Sequence, residues 1–137
     1  MKRILPWLLC LALLLAGCGG SESARSDVDV DLTAMSSTVV FGEVSSMVYE
    51  PENYIGKTVR MAGTFNVVEA GEIRYFSCLI ADATACCKQG LEFELREPRS
   101  YPEEYPRFGA EITVVGTFET YEEDGMTYCR VADAVFE

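Results

Sequence analysis

Two adjacent thiols, Cys86 and Cys87, are the residues whose type and spacing most directly suggest chemistry, and they stand in the stretch LIADATACCKQG of residues 79–90. Thiolates act as nucleophiles, redox groups and ligands of soft metals such as Cu(I). A zinc site normally uses Cys pairs spaced as CxxC, or His, and the chain contains no His. The pair therefore has four interpretations: part of a disulfide, a redox site, a soft-metal site, or two free thiols.

Two further thiols, Cys78 and Cys129, belong to segments in which apolar residues alternate. Each lies two residues from an apolar neighbour, Ile80 or Val131, so the alternation directs both thiols to the core face of a strand. Buried thiols and one bridge across the core both fit that position. A fold that brought all four cysteines together would instead make a tetrahedral metal site.

The chain lacks the residues that the common kinds of catalytic site require. Ser-His and Cys-His pairs need a His, and neither a glycine-rich phosphate loop nor an HExxH motif occurs. Neighbouring carboxylates occur at Glu103–Glu104 and at Glu122–Asp124, and the second group has the composition of a solvated hairpin turn. We therefore predict a protein without enzymatic activity. Aromatic surface for a ligand, or cover for a core, is offered by Tyr49, Tyr54, Tyr101, Tyr105 and Tyr121.

The N-terminal stretch MKRILPWLLCLALLLAGC has the pattern of a secretion signal, since Lys2 and Arg3 precede an apolar run over residues 4–16. The run is shorter than the roughly 20 apolar residues of a membrane-spanning helix. Its ending, LAGC at residues 15–18, resembles the lipobox of bacterial lipoproteins. That resemblance implies lipidation of Cys18 and attachment to the extracytoplasmic face of a bacterial membrane. An ordinary secretion signal with an incidental Cys is the alternative.

Charge limits the partners of the chain that remains. Removal of the signal peptide, residues 1–17, would remove two basic residues and no acidic one. The remaining chain has nine basic and 22 acidic residues, a net charge of −13. Nucleic acid would be repelled, because its phosphates are bound through Lys and Arg, and the membrane is expected to hold the protein through the lipid alone. We predict three parts: a signal peptide (1–17), a lipidated Cys with a flexible tether (18–31) and one folded domain (32–137).

One amphipathic helix and five strands are expected in that domain. Helical spacing of apolar residues predicts the helix within Thr33–Tyr49, before Pro51. Gly63 and Gly116 interrupt two of the strands, as glycines do at bulges and sharp bends. From Gly56 the apolar period changes to two, which predicts strands at 56–68, 73–81, 91–97, 110–121 and 126–136.

A weak internal repeat groups these strands. Residues 56–65 (GKTVRMAGTF) align with residues 109–118 (GAEITVVGTF), and the segment from Cys78 then falls on the segment from Cys129. The alignment predicts two similar hairpins with a lone strand between them.

This arrangement resembles the OB-fold, a partly open five-stranded Greek-key barrel. More narrowly, PENYIGKTVRMAGTF, ADATACCKQGLEFEL and ITVVGTFETYEEDGMTY resemble small bacterial envelope lipoproteins with an OB-like domain. The resemblance covers roughly Pro51–Glu137 and implies a mainly β fold, to which the helix predicted from spacing is added at the N-terminal side, and a ligand face across the second and third strands. The link between the third and fourth strands usually carries a helix, but Pro98, Pro102 and Pro106 leave room for little more than single turns.

The sequence therefore predicts a lipid-anchored binding or adaptor module of the cell envelope, with no catalytic activity and no resident cofactor. Its expected partner is an envelope protein such as a transporter component. The alternative is a thiol-based metal-handling or redox protein, with a soft metal ion held by Cys86 and Cys87.

Overall fold

The computed structural model describes residues 27–137, so the predicted signal peptide, Cys18 and the first part of the predicted tether lie outside the described residues. The described chain is mainly β, with six strands in one sheet and one α-helix. These elements are β1 (Val30–Asp31), α1 (Ser37–Tyr49), β2 (Thr58–Ala70), β3 (Ile73–Ala81), β4 (Lys88–Leu95), β5 (Glu111–Glu123) and β6 (Met126–Phe136).

The order of strand pairing returns to its starting point. β2 pairs antiparallel with β3 through residues 64–70 and with β5 through residues 58–64. β3 pairs antiparallel with β4, β4 parallel with β6, and β6 antiparallel with β5. The pairings therefore run from β2 through β3, β4, β6 and β5 back to β2.

Alternation along the strands decides which side chains fill the core. Val59, Met61 and Phe65 of β2 are completely buried, and so are Val114 and Phe118 of β5. Side chains next to them, such as those of Arg60 and Thr117, point outwards, because successive side chains of a strand lie on opposite faces. This period of two is the pattern from which the strands were predicted.

The predicted number of strands is wrong by one. The strands predicted at 73–81 and 126–136 have the observed bounds. β4 begins three residues before the predicted residue 91, since its polar start pairs with the end of β3. The strand that was not predicted is β1. It has only two residues and therefore no alternation that a sequence pattern could reveal.

β1 joins the chain before the helix to the edge of β2, with which it runs parallel. Val30 and Leu32 are buried, and the backbone N–H of Asp29 donates to the carbonyl oxygen of Thr58 at 2.9 Å. The predicted flexible tether reached Asp31. The last residues of that segment instead belong to the folded domain.

Arg60 strengthens this attachment. Its guanidinium lies 3.0 Å from a carboxylate oxygen of Asp31 and 2.9 Å from one of Glu137. Hydrogen bonds from Thr33 and then Arg60 lower the pKa of Asp31, and the hydrogen bond from Arg60 lowers the pKa of Glu137. β1, β2 and the end of β6 are thereby tied together.

The helix begins at Ser37, later than the predicted limit of Thr33. Residues 32–34 form a separate 3-10 turn, because the Asp31 carboxylate caps it by accepting from the backbone N–H of Thr33 at 3.0 Å. α1 buries Val44 and Met47 and packs against β3 and β4.

Two glycines mark places where strands come unusually close. A Cβ on Gly63 would lie 2.3 Å from the carbonyl oxygen of Leu79, and one on Gly116 would lie 2.5 Å from that of Ala132. Neither glycine has a positive φ. The register shift between Val115 and Thr117 is an irregularity of the kind expected at Gly116, whereas the pairing around Gly63 has no register shift and is marked only by the close approach of backbone.

The two copies of the predicted repeat pair with each other, Gly63 opposite Ile112 and Gly116 opposite Val59. The second half of the predicted alignment is wrong by two residues. Phe65 faces Cys78, whereas the equivalent Phe118 faces residue 131 and not residue 129. With that register both hairpins have two-residue turns.

The segment between β4 and β5 contains no helix, as its three prolines predict. Two of its tyrosines instead cover the core. Tyr105 stacks on Phe76 with ring centres 4.2 Å apart, and Tyr101 contacts both rings at 5.6–5.7 Å. The predicted role of these two tyrosines as core cover is thus observed.

Candidate functional site

The vicinal pair, Cys86 and Cys87, lies in the turn between β3 and β4. Asp82 fixes this turn, because its carboxylate accepts from the backbone N–H of Thr84 at 3.2 Å and of Cys86 at 3.0 Å. Burial would raise the pKa of Asp82, but hydrogen bonds from the Cys87 backbone and the Thr84 hydroxyl, together with these two, outweigh burial and lower the pKa. Its own backbone N–H donates to the carbonyl of Cys87 at 2.9 Å.

The four thiols divide by exposure. Both members of the vicinal pair are exposed and free. Cys78 is free and completely buried, and burial raises its pKa to about 12. Cys129 is free and half-buried, with its sulfur 3.9 Å from the carbonyl oxygen of Met47, and burial raises its pKa as well. The structure thus places one of the two predicted core thiols fully inside and the other at the edge of the core.

The four cysteines do not converge. Within residues 27–137 no group of three or more His, Cys, Asp or Glu side chains is arranged to hold a metal ion. The tetrahedral arrangement considered from the sequence is therefore wrong. The vicinal pair remains as two thiols side by side in solvent.

A second candidate lies on the outside of the sheet and is called the tyrosine face, defined by the outward residues Tyr75, Glu92, Tyr121, Tyr128 and Arg130. Glu92 of β4 stands opposite Arg130 of β6, and Tyr121 of β5 stands opposite Tyr128 of β6. Residues opposite each other in paired strands share one face of a sheet. Four strands therefore contribute to one surface.

Hydrogen bonds between strands hold the tyrosine face in place. The hydroxyl of Tyr121 donates to the carboxylate of Glu92 at 2.7 Å, and that of Tyr75 donates to Glu123 at 2.8 Å. The rings of Tyr121 and Tyr128 stack with centres 5.6 Å apart, and the Arg130 guanidinium lies 4.8 Å above the Tyr121 ring. These contacts hold Tyr75 and Tyr121 in fixed positions on the face.

Carboxylates outnumber cationic groups on this face. Burial raises the pKa of Glu92, and burial together with donation to Glu92 raises the pKa of Tyr121. Arg130 pairs with Glu94 and, at 2.7 Å, with Glu119. Three carboxylates, those of Glu92, Glu94 and Glu119, act on this one guanidinium, so the face is suited to stacking on flat groups and to accepting hydrogen bonds from cationic donors.

Sequence reasoning found only part of this face. Tyr121 was among the candidate tyrosines, while Tyr75, Glu92, Tyr128 and Arg130 were not singled out. Their signal is the outward position at every second residue of neighbouring strands, which requires the strand register to be known.

The remaining candidate tyrosines lie elsewhere. Tyr49 is 82% exposed at the end of α1. Tyr54 packs edge-on against Phe118 and donates to Glu43 at 2.8 Å. The acidic run Glu122–Asp124 ends β5 and enters the two-residue hairpin turn, as its composition predicts.

The third candidate is an open cleft of about 930 Å³, here called the β2 cleft. It lies where β2 leaves β3 and turns towards β5, and residues 62–64, 79–81 and 111–113 form its strand walls. Apolar groups in the lining include Val40, Ile112 and Phe136. It shares no residue with the tyrosine face.

The described part of the chain contains no helix that is both long and apolar enough to cross a membrane. No protein-family model, no curated protein and no solved structure matches the chain.

Proposed function

We propose that this chain is a lipid-anchored, extracytoplasmic binding or adaptor module of the bacterial cell envelope, built on an OB-like Greek-key barrel and acting without catalysis. The pairing cycle from β2 through β3, β4, β6 and β5 supports the barrel, and so does the single parallel pair within it, β4–β6. In this reading β1 is an addition at the edge of a five-stranded barrel.

The observation that carries the binding function is the tyrosine face. OB-folds take ligands across their second and third strands and the neighbouring hairpin turns, which correspond here to β3, β4 and the turns at 71–72 and 124–125. Tyr75 reaches Glu123 beside the second of these turns. Fixed aromatic rings among carboxylates are typical of recognition surfaces, because tyrosine offers a large contact area with few rotatable bonds.

The anchor part of the proposal depends on Cys18 and the apolar run before it. We expect Cys18→Ala to leave the protein as an unprocessed precursor or in the soluble fraction, since the acidic domain has no affinity of its own for an anionic membrane. Membrane fractionation measures this. Full partition of the variant into membranes with normal processing would contradict the anchor.

The binding part is tested by photocrosslinking in the bacterium that produces the protein. A photoreactive residue is placed at position 128, on the tyrosine face, and as a control at position 52, in the 3-10 turn after α1. One discrete protein adduct from position 128, and none from position 52, is expected. Equal adducts from both positions, or none from either, would contradict the proposal.

The second candidate function is a thiol-based metal-handling or redox protein, and the exposure of the vicinal pair favours it. A working thiol site must be reachable in the folded protein. Metal analysis of the purified protein, with and without the Cys86→Ser/Cys87→Ser double substitution, tests it. Stoichiometric metal that survives dialysis and disappears in the double variant would support this candidate over the first.

A further inference from the structure

We propose that the β2 cleft is a second binding site, separate from the tyrosine face, and that it takes a short extended peptide segment bearing Lys or Arg. Three independent properties of the cleft support this occupant: unpaired strand edges in its floor, the charge of its rim, and its volume.

The floor is a gap in the strand ladder. On one edge of β2 the pairing with β1 ends at Arg60, and the pairing with β3 begins at Thr64. On β3 the pairing with β2 ends at Leu79. Ala62 and Ala81 therefore have no strand-pairing partner across the gap. Both residues line the cleft.

The direction of the free backbone groups follows from their neighbours. The carbonyl oxygen of Leu79 points towards β2, because it accepts from the Thr64 hydroxyl at 3.4 Å, so Ala81, two residues on, directs its N–H and C=O to the same edge. The carbonyl oxygen of Thr58 accepts from the backbone N–H of Asp29, next to β1 on this edge, so Ala62, four residues on, also faces the gap. These are the groups that an extended peptide pairs with.

The rim selects a cation. Four glutamates line the cleft, namely Glu103, Glu104, Glu111 and Glu137, against one arginine, Arg99. The Arg99 guanidinium lies 5.4 Å above the Phe136 ring and donates to a backbone oxygen at 3.5 Å. Glu103 and Glu111 have no ion-pair partner among residues 27–137, so they are available to an ammonium or guanidinium group.

The volume and walls suit a few residues of peptide. About 930 Å³ lies at the upper end of the range for small-molecule sites, about 300–1,000 Å³. Apolar walls from Val40, Ile112 and Phe136 can cover the aliphatic stem of a lysine while its head reaches the rim.

The test is an NMR titration of the purified full chain in non-ionic detergent with the peptide acetyl-Ala-Lys-Ala-Lys-Ala-amide. We expect saturable shifts of the Ala62 and Ala81 amide signals. A peptide with Gln in place of both Lys removes the charge. A peptide with alternate backbone nitrogens methylated removes donors for the strand edges, and spermidine supplies charge without a backbone.

The matched protein variants are Glu103→Gln/Glu111→Gln in the cleft and Glu50→Gln/Glu52→Gln outside it, which make the same change in net charge. The cleft variant should bind the lysine peptide about three- to tenfold more weakly than the unchanged protein, as expected for loss of two exposed ion pairs. The control variant should lose much less affinity. Methylation should weaken binding of the lysine peptide by a similar factor, since it removes hydrogen-bond donors to the strand edges.

Four results would overturn the proposal: no saturable shift at either alanine, equal weakening by both double variants, equal binding of the Gln peptide, or spermidine binding as tightly as the lysine peptide. None of them bears on the tyrosine face, whose crosslinking test reads out adducts from position 128.

Discussion

Gly63→Ala should destabilise the domain by about 1–3 kcal/mol, the usual cost of forcing an extra methyl group into packed structure. The added Cβ would stand 2.3 Å from the carbonyl oxygen of Leu79 and 2.9 Å from the sulfur of Cys78. Ordinary contacts of a Cβ begin at about 3.4 Å, so β2 and β3 must separate by roughly 1 Å. The first obstacle is backbone, which cannot rotate away.

Gly42→Ala is the matched control. Gly42 lies inside α1 with nothing within 4 Å of the position of a Cβ. Alanine favours a helix over glycine by about 1 kcal/mol, so this variant should be stabilised. The same methyl group is therefore expected to act with opposite signs at the two sites.

Urea unfolding followed by circular dichroism measures both free energies of unfolding. A loss below about 0.5 kcal/mol for Gly63→Ala, or similar effects of both variants, would refute the close approach of β2 and β3. Gly63→Val should destabilise the domain more than Gly63→Ala does, because it adds further volume at the same place.

Three further predictions concern the N-terminal segment, the thiols and acid stability. Deleting residues 18–26 should leave the melting temperature unchanged, whereas deleting residues 18–32 should lower it by several degrees, since the longer deletion removes the two buried side chains of the β1 region; equal melting temperatures would show that β1 contributes nothing. Both thiols of the vicinal pair should react with a thiol reagent in the folded protein while Cys78 reacts only after unfolding; a slow vicinal pair would point to a disulfide. The two carboxylates paired with Arg60 have pKa values below the ordinary 3.8 and 4.5, so their stabilisation is present above those values and lost as pH falls; Arg60→Met should therefore lower the melting temperature at pH 7 and much less at pH 3, and a pH-independent difference would contradict the ion pairs.

Most of the fold was predictable because it rests on strictly local signals. The alternation around Phe65 and Phe118 places both in the core, and the turn compositions give the hairpin ends. β1 gave no such signal, since two residues cannot alternate. The alignment of the repeat was wrong where it matched Cys78 with Cys129 by residue type, because strand register is set by the turn and the buried face.

The candidate sites were less predictable because they depend on contacts between distant parts of the chain. The exposure of the vicinal pair follows from its place in a turn, which the sequence indicated. The pairing of Tyr121 with Glu92 joins residues 29 positions apart, and the β2 cleft exists because a ladder stops between Arg60 and Thr64. Neither feature has a pattern in the linear sequence.

The proposal that this domain binds through its tyrosine face and not through its thiols is tested by one yield, that of the adduct from a photoreactive residue at position 128. The yield is compared in two backgrounds, Glu92→Gln and Cys86→Ser/Cys87→Ser. We expect Glu92→Gln to reduce the adduct strongly, because it removes the carboxylate that positions Tyr121, and the double Ser variant to leave the yield unchanged. Loss of the adduct in the double Ser variant, with full yield in Glu92→Gln, would show instead that the thiols carry the interaction.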